Sequence, residues 1–420
     1  MKHWFKFRRL FFFGLVIVLI SVACQLPLVG NKSQEPSNAD LQATITALQT
    51  EMAKGIAGDQ ENNQPVVTEE QNTQLTEDVP PPSSEPDMPD ELYRGFMVNI
   101  NGHFISYDFN GIPLGFDAET IAENWISDNE VSVFNDQVYF SEFGENSGVF
   151  RVTQQGAQKI NFINADSNPV SISVSPDLTQ IAWSTSEWID NAPQTDLFMS
   201  NLDGSDQRLI SQIPSADQSE FWRIYHPYGW TSDGKLIYAT GLTGIGGYLL
   251  FWGYNGLFVY DPLTNVSTTL VPDEERLGLC LSSVSDDLSM VAIVCGDQPG
   301  VKVRNLNNGS ETSYPVLADQ GTAGSAKFSP SGEWLAYVIQ RVNPDDELGK
   351  VVVVPVDGSA APQIIAEQIG TFTVEGWLDE NSFLVTRSDI ISNISTIWRM
   401  NRDGSDITQL TDGQFLGFIR

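Results

Sequence analysis

From Tyr93 onward two kinds of polar turn alternate along the chain, each set between short apolar runs. The first kind puts Ser or Thr close to Asp, with Pro or Gly beside them. It appears as Val174-Ser175-Pro176-Asp177 before Ile181-Ala182-Trp183, and as Trp230-Thr231-Ser232-Asp233-Gly234 before Leu236-Ile237-Tyr238. Val284-Ser285-Asp286-Asp287 precedes Val291-Ala292-Ile293, and Phe328-Ser329-Pro330-Ser331-Gly332 precedes Leu335-Ala336-Tyr337. Trp377-Leu378-Asp379-Glu380 leads to Phe383-Leu384-Val385, and Phe134-Asn135-Asp136 before Val138-Tyr139-Phe140 is a degenerate copy. The clear copies start at Ser175, Ser232, Ser285, Ser329 and Leu378, 57, 53, 44 and 49 residues apart.

The second kind carries Gly: Asp108-Phe109-Asn110-Gly111, Gln155-Gly156, Asp203-Gly204-Ser205, Asn308-Gly309-Ser310, Asp357-Gly358-Ser359 and Asp403-Gly404-Ser405. Asp261-Pro262-Leu263-Thr264-Asn265 holds the same place without it. Pro presets, and Gly permits, the backbone angles of a tight hairpin. Four short strands recurring every 40 to 50 residues predict an all-β fold, a β-propeller, over residues 93–420. Seven turns of the second kind face only six of the first. The unit that lacks its opening hairpin starts at Phe96-Met97-Val98, and an orphan strand, Phe415-Leu416-Gly417-Phe418-Ile419, ends the chain. The economical solution is seven four-stranded blades, with that last strand innermost in the first blade, so that no sheet edge is left open. Six blades with an N-terminal cap is the alternative.

These paired turns, with an ending such as Gln409-Leu410-Thr411-Asp412, resemble TolB-type propeller repeats, which in turn resemble WD repeats and the propellers of prolyl-oligopeptidase relatives. The resemblance implies binding of peptides or proteins at the mouth of a central channel. Such propellers serve many unrelated functions, so no partner follows from it.

The N-terminus reads as an address. Lys2, Lys6, Arg8 and Arg9 precede an apolar run from Leu10 to Val22, a stretch shorter than the roughly 20 residues that span a bilayer. Ile20-Ser21-Val22-Ala23-Cys24 resembles the lipobox of bacterial lipoproteins, with Ser21 where Leu is usual. The resemblance implies a signal peptide over 1–23, acylation of Cys24 with palmitate-type chains, and a lipid anchor on the extracytoplasmic face of the cell membrane, or on the outer membrane where the source has one. Residues 24–92 are rich in Pro, Gln, Asn, Glu, Ser and Thr and predict a disordered tether. Within it Leu41, Ile45, Leu48 and Met52 are spaced for a short helix over about 38–54. Its apolar stripe at 41–52 is the sequence's signal for self-association, as a two-heptad coiled coil.

Fifty-four acidic residues stand against 22 basic ones, a net charge of −32, which disfavours nucleic-acid partners. The leader holds four of the cations and no acid, so removing it leaves a chain more acidic still. Beyond it only His103 and His226 remain. No G-x-S-x-G elbow, P-loop, dinucleotide fingerprint or H-E-x-x-H motif occurs, and so no catalytic or metal residue is assigned. Calcium is the cofactor the acidity admits, in the channel rather than at the Asp-Gly-Ser-Asp turns, which turn chemistry explains. Cys280 and Cys295 flank the hairpin at Asp287 and form a candidate cross-strand disulfide, which export favours. Two buried thiols are the other reading.

Residues 219–260 are rich in aromatics, and Gly241 to Gly253 reads as one lengthened loop. Trp222, Tyr228, Tyr248, Phe251, Trp252 and Tyr254 are the candidate ligand-binding lip, with packing between blades as the bland reading. The sequence therefore points to a membrane-tethered, non-catalytic binding or scaffold module for a protein, peptide or envelope polymer. A carbohydrate-active propeller using channel carboxylates and a purely structural component are the alternatives.

Overall fold

The computed structural model describes residues 93–419 apart from 121–130, 143–146, 165–168, 190–191, 219–221, 244–252, 274–279, 296–297, 317–320, 341–347 and 390–393. They belong to one unit that runs from Glu85 to Arg420. Cys24, the tether and the helix expected at 38–54 lie outside the described residues.

The described strands pair into groups of four. The first group is β1 (Gly95–Ile100), β2 (His103–Tyr107) and β3 (Pro113–Glu119), with β28 (Gln414–Ile419) added beside β1. The second is β4 (Val131–Val133), β5 (Gln137–Glu142), β6 (Gly148–Thr153) and β7 (Gly156–Lys159). The third is β8 (Pro169–Val174), β9 (Gln180–Ile189), β10 (Ala192–Asn201) and β11 (Arg208–Ile213). The fourth is β12 (Trp222–Trp230), β13 (Leu236–Thr243), β14 (Tyr254–Asp261) and β15 (Val266–Val271). A single pair, Tyr254 with Leu281, joins it to the fifth. That group is β16 (Leu281–Val284), β17 (Met290–Cys295), β18 (Gln298–Asn305) and β19 (Glu311–Pro315). The sixth is β20 (Thr322–Phe328), β21 (Trp334–Gln340), β22 (Leu348–Pro355) and β23 (Gln363–Ile369). The seventh is β24 (Thr371–Trp377), β25 (Ser382–Asp389), β26 (Ile394–Asn401) and β27 (Ile407–Asp412). All pairings are antiparallel.

Each apolar cluster lies between two neighbouring groups. Phe104 of the first meets Phe140 of the second, Tyr139 meets Ile172, and Leu197 meets Tyr225. The sequence of interfaces continues around to Leu384 and Ile397 of the seventh group, which share a cluster with Phe96, Val98 and Phe415 of the first. Such a cyclic series is a propeller. Both faces of every sheet are covered by a neighbour, which is why the strands read as apolar runs rather than a strict apolar–polar alternation.

The innermost strands solve a local problem. The inner edge of each lacks a strand partner, so its amides need other acceptors. Serines on the adjoining innermost strand supply several: Val174 N donates to Ser132 Oγ (3.1 Å), Ala326 N to Ser282 Oγ (2.8 Å), and Val374 N to Ser325 Oγ (3.0 Å).

Turns of the first kind join the innermost strand of a group to the next strand out, and each closes on its own side chains. Gln180 N donates to Ser175 Oγ (2.9 Å), whose hydroxyl donates to Asp177 (2.6 Å). Met290 N, Ser285 and Asp287 repeat the arrangement, as do Lys235 N, Thr231 and Asp233. The left-handed position falls to Gly234 and Gly332 in two turns, and to Leu178 and Leu288 (both φ 58°) in two others. Turns of the second kind join the two outer strands. Ser205 N donates to Asp203 (2.9 Å), and Ser359 and Ser405 repeat the bond to Asp357 and Asp403.

Because each group is an up-and-down meander, both kinds of turn lie on one face of the ring, the turn face. The hairpins between the two middle strands, and the links between groups, lie on the other, the connection face. There the links vary from single residues, 370 and 413, to 120–130, 160–168 and 272–280.

Candidate functional site

The aromatic segment falls on the fourth group and the connection face. The stretch expected to be one loop from Gly241 is partly strand. Gly241, Leu242 and Thr243 complete β13 opposite Ile224, Arg223 and Trp222, so the connection is 244–253. The physical reason for glycine at 241 is close approach: an added Cβ would stand 2.9 Å from His226 Nε2.

Of the candidate lip, Tyr248, Phe251 and Trp252 lie outside the described residues. Tyr228 and Tyr254 meet edge to face (5.5 Å, 89°), and His226 leans on Tyr254 at 5.4 Å. With Leu257, Leu281 and Ser283 the two tyrosines line a narrow cleft between the fourth and fifth groups, against the apolar cluster of that interface. The bulge between Pro227 and Gly229 sets this arrangement. It leaves Tyr228 on the fifth-group side while Tyr225 and Trp230 both face the third.

Burial pushes the His226 imidazole down to about 4, because desolvation disfavours the charged ring. Its Nδ1 has no hydrogen-bond partner among the described residues. His103 opens β2 after Asn101-Gly102 (φ 53° and 84°) and pairs with Asp117 at 3.0 Å in solvent.

Trp222 stands apart from the tyrosines. Its ring meets Trp188 of β9 edge to face at 4.6 Å and 85°. Side chains alternate along β9, so Ala182 in the third–fourth interface and Trp188 share a face. The β9–β10 hairpin has ten residues in each strand, which carries Trp188 outward until its side of the residue is 57% exposed. Gln218 clamps the corner from below: its Nε2 donates to Pro193 O and Arg223 O (both 3.0 Å), and its Oε1 accepts from Arg223 N (2.8 Å). Pro193 is the residue paired with Trp188. Arg223 also donates from Nη2 to Asp217 O (2.8 Å) and from Nη1 to Asp273 Oδ2 (3.2 Å), with both charged side chains about 15% exposed. Trp188, Gln218, Arg223 and Asp273 were not singled out from the sequence. For Trp188 the signal was its phase with Ala182.

The connection face also exposes Leu348 and Ile369, directly paired in the sixth group, and Ile394 of the seventh. Among the described residues no three His, Cys, Asp or Glu side chains gather as a metal-binding group. Asp203, Asp357 and Asp403 are held below the ordinary carboxylate range by their own serine hydroxyls and amides. Cys280 is half-buried and lies opposite Val294, whose amide donates to its carbonyl (2.8 Å). The Cys295 side chain is outside the described residues.

No family profile matches the chain, and no curated protein matches it. Solved structures do. A protein described as a putative TolB from Agrobacterium tumefaciens is 15% identical over 69% of this chain and 83% of its own, with a TM-score of 0.35. An oligogalacturonate lyase from Vibrio parahaemolyticus is 10% identical over 74% and 89%, TM-score 0.45. The prolyl oligopeptidase B of Galerina marginata is 10% identical over 77% of this chain, TM-score 0.47, and this chain spans 52% of it.

Proposed function

We propose that this chain is a membrane-tethered, extracytoplasmic docking module. In this reading residues 1–23 direct export, Cys24 carries the acyl anchor, 24–92 form the tether, and the propeller binds a protein, peptide or envelope polymer without transforming it. The observation that supports it is the pairing of long, variable links with exposed apolar side chains on the connection face. Turns on one face close their polar groups on their own side chains, although Ile112, Leu114, Leu209, Leu263 and Val266 are exposed there. The other face presents longer links together with exposed Trp188, Leu348, Ile369 and Ile394. Exposed apolar groups held on a rigid scaffold are what a docking surface needs.

The test is capture from an envelope extract with the full-length chain, beside variants altered on one face at a time. Loss of the captured species on replacing Leu348, Ile369 and Ile394 by Ser, and retention on altering the turn-face residues Leu263 and Val266, is the expected result. The reverse pattern refutes the reading. Release of products from a polysaccharide panel would make the protein an enzyme instead. For the anchor, replacing Cys24 by Ala releases the protein from membranes in a fractionation assay; unchanged partition refutes acylation at Cys24.

A further inference from the structure

The Trp188–Trp222 corner has three properties that together select a ligand class. Its two indoles stand almost perpendicular (85°), the edge of one against the face of the other, and Trp188 keeps 57% of its surface exposed. A cation is attracted to the exposed face of an indole by the ring quadrupole. The backbone that presents the corner is also held in place: Gln218 ties the hairpin at Pro193 to β12 at Arg223.

The third property is charge. Between Lys159 and Arg223 the sequence has nine acidic residues and one cation, Arg208, and Arg208 pairs with Asp206. The cation nearest the corner, Arg223, is neutralised by Asp273. Asp217, whose carbonyl Arg223 holds, and Glu187, which projects from the other side of β9 than Trp188, are exposed and add to the local negative field. A net charge of −32 over the chain adds long-range attraction for positive ligands and repels anionic ones. An acidic polymer is thereby disfavoured, and a neutral one gains nothing from the surrounding carboxylates.

We infer that this corner docks a cationic side chain, lysine or arginine, presented by a basic protein or peptide partner. The inference rests on the docking reading above and names the chemistry of the partner. The ammonium or guanidinium lies against the exposed face of Trp188, drawn in by the field of the surrounding carboxylates.

The test uses the full-length chain and a labelled lysine-rich peptide, followed by fluorescence anisotropy. The expected result is binding that weakens as NaCl is raised, since screening shortens the reach of the carboxylates, and no binding of the same peptide acetylated at every lysine. Trp188→Ala weakens binding about five-fold and Trp188→Phe less, consistent with the strength of an exposed cation–π contact. Glu187→Gln weakens it about two-fold. All three keep the parent melting temperature, because Trp188 is largely in solvent. Equal binding by the parent and Trp188→Ala assigns the attraction to net charge alone and overturns the corner. Equal or tighter binding of the acetylated peptide, or of a neutral oligosaccharide, overturns the cationic class. If the parent and Trp188→Ala capture the same envelope component equally, the corner is refuted while the docking reading stands.

Discussion

Strand β28 closes the ring, and its removal is the most demanding test of the architecture. The strand pairs with β1 from Gln414 opposite Asn99 to Ile419 opposite Gly95. Its Phe415, Leu416 and Ile419 are buried, Phe418 stacks on Tyr93 at 4.5 Å, and Phe415 lies against Phe96. Three buried apolar side chains at about 1.5–3 kcal/mol each give roughly 5–9 kcal/mol. The whole stability of a folded domain is about 5–15 kcal/mol. Deleting residues 413–420 therefore removes most of the margin and bares the hydrogen-bonding edge of β1. The assay is thermal unfolding of the truncated chain, without and with a synthetic peptide of residues 413–420. Truncation should lower the melting temperature by tens of degrees or abolish the transition, and the peptide should restore part of it. Ile419→Ala, at about 2–4 kcal/mol, should show a graded version. A truncated chain as heat-resistant as the parent would refute closure by this strand.

Three further outcomes are expected. The depressed His226 imidazole makes stability fall as pH drops from about 6.5, where the unfolded ring starts to take a proton, toward about 4. The loss is about 3 kcal/mol, read by denaturant titration across that window, and a flat profile in the parent, or an unchanged one in His226→Phe, contradicts it. Arg223→Ala should cost about 3 kcal/mol by stranding the Asp273 carboxylate, with Asp273→Asn milder and the double variant less harmful than the sum; strict additivity in this thermodynamic cycle counts against coupling across the 3.2 Å pair. Because Cys280 lies opposite Val294 rather than Cys295, intact-mass analysis after alkylation of the unfolded chain without reductant should find both sulfurs alkylated; protection of both would establish the disulfide instead.

Much of the fold was legible because its turns are local. Ser175, Asp177 and Gln180 lie within six residues of one another and complete their bonds without outside help, so spacing alone exposes the repeat. The shortage of one opening hairpin likewise pointed to β28. The candidate site was harder to read because its partners are remote in sequence. Trp188 meets Trp222 across 34 positions, and Arg223 meets Asp273 across 50. The bulge at Pro227 decides which way Tyr228 turns, and composition carries no trace of it. Glycine usually breaks strands, so the run from Gly241 reads as one loop in the sequence, whereas at Gly241 the neighbouring imidazole requires glycine within a strand.

The amide of Arg94 donates to the carbonyl of Ile419 (2.9 Å) where the chain enters the ring. A pull on the preceding segment therefore arrives at the single seam that no peptide bond crosses, and it loads β1 and β28 from one end, as a zipper is loaded. Such a joint opens rung by rung under modest force, so mechanical rupture should begin there and spare the other sheets until the seam has parted.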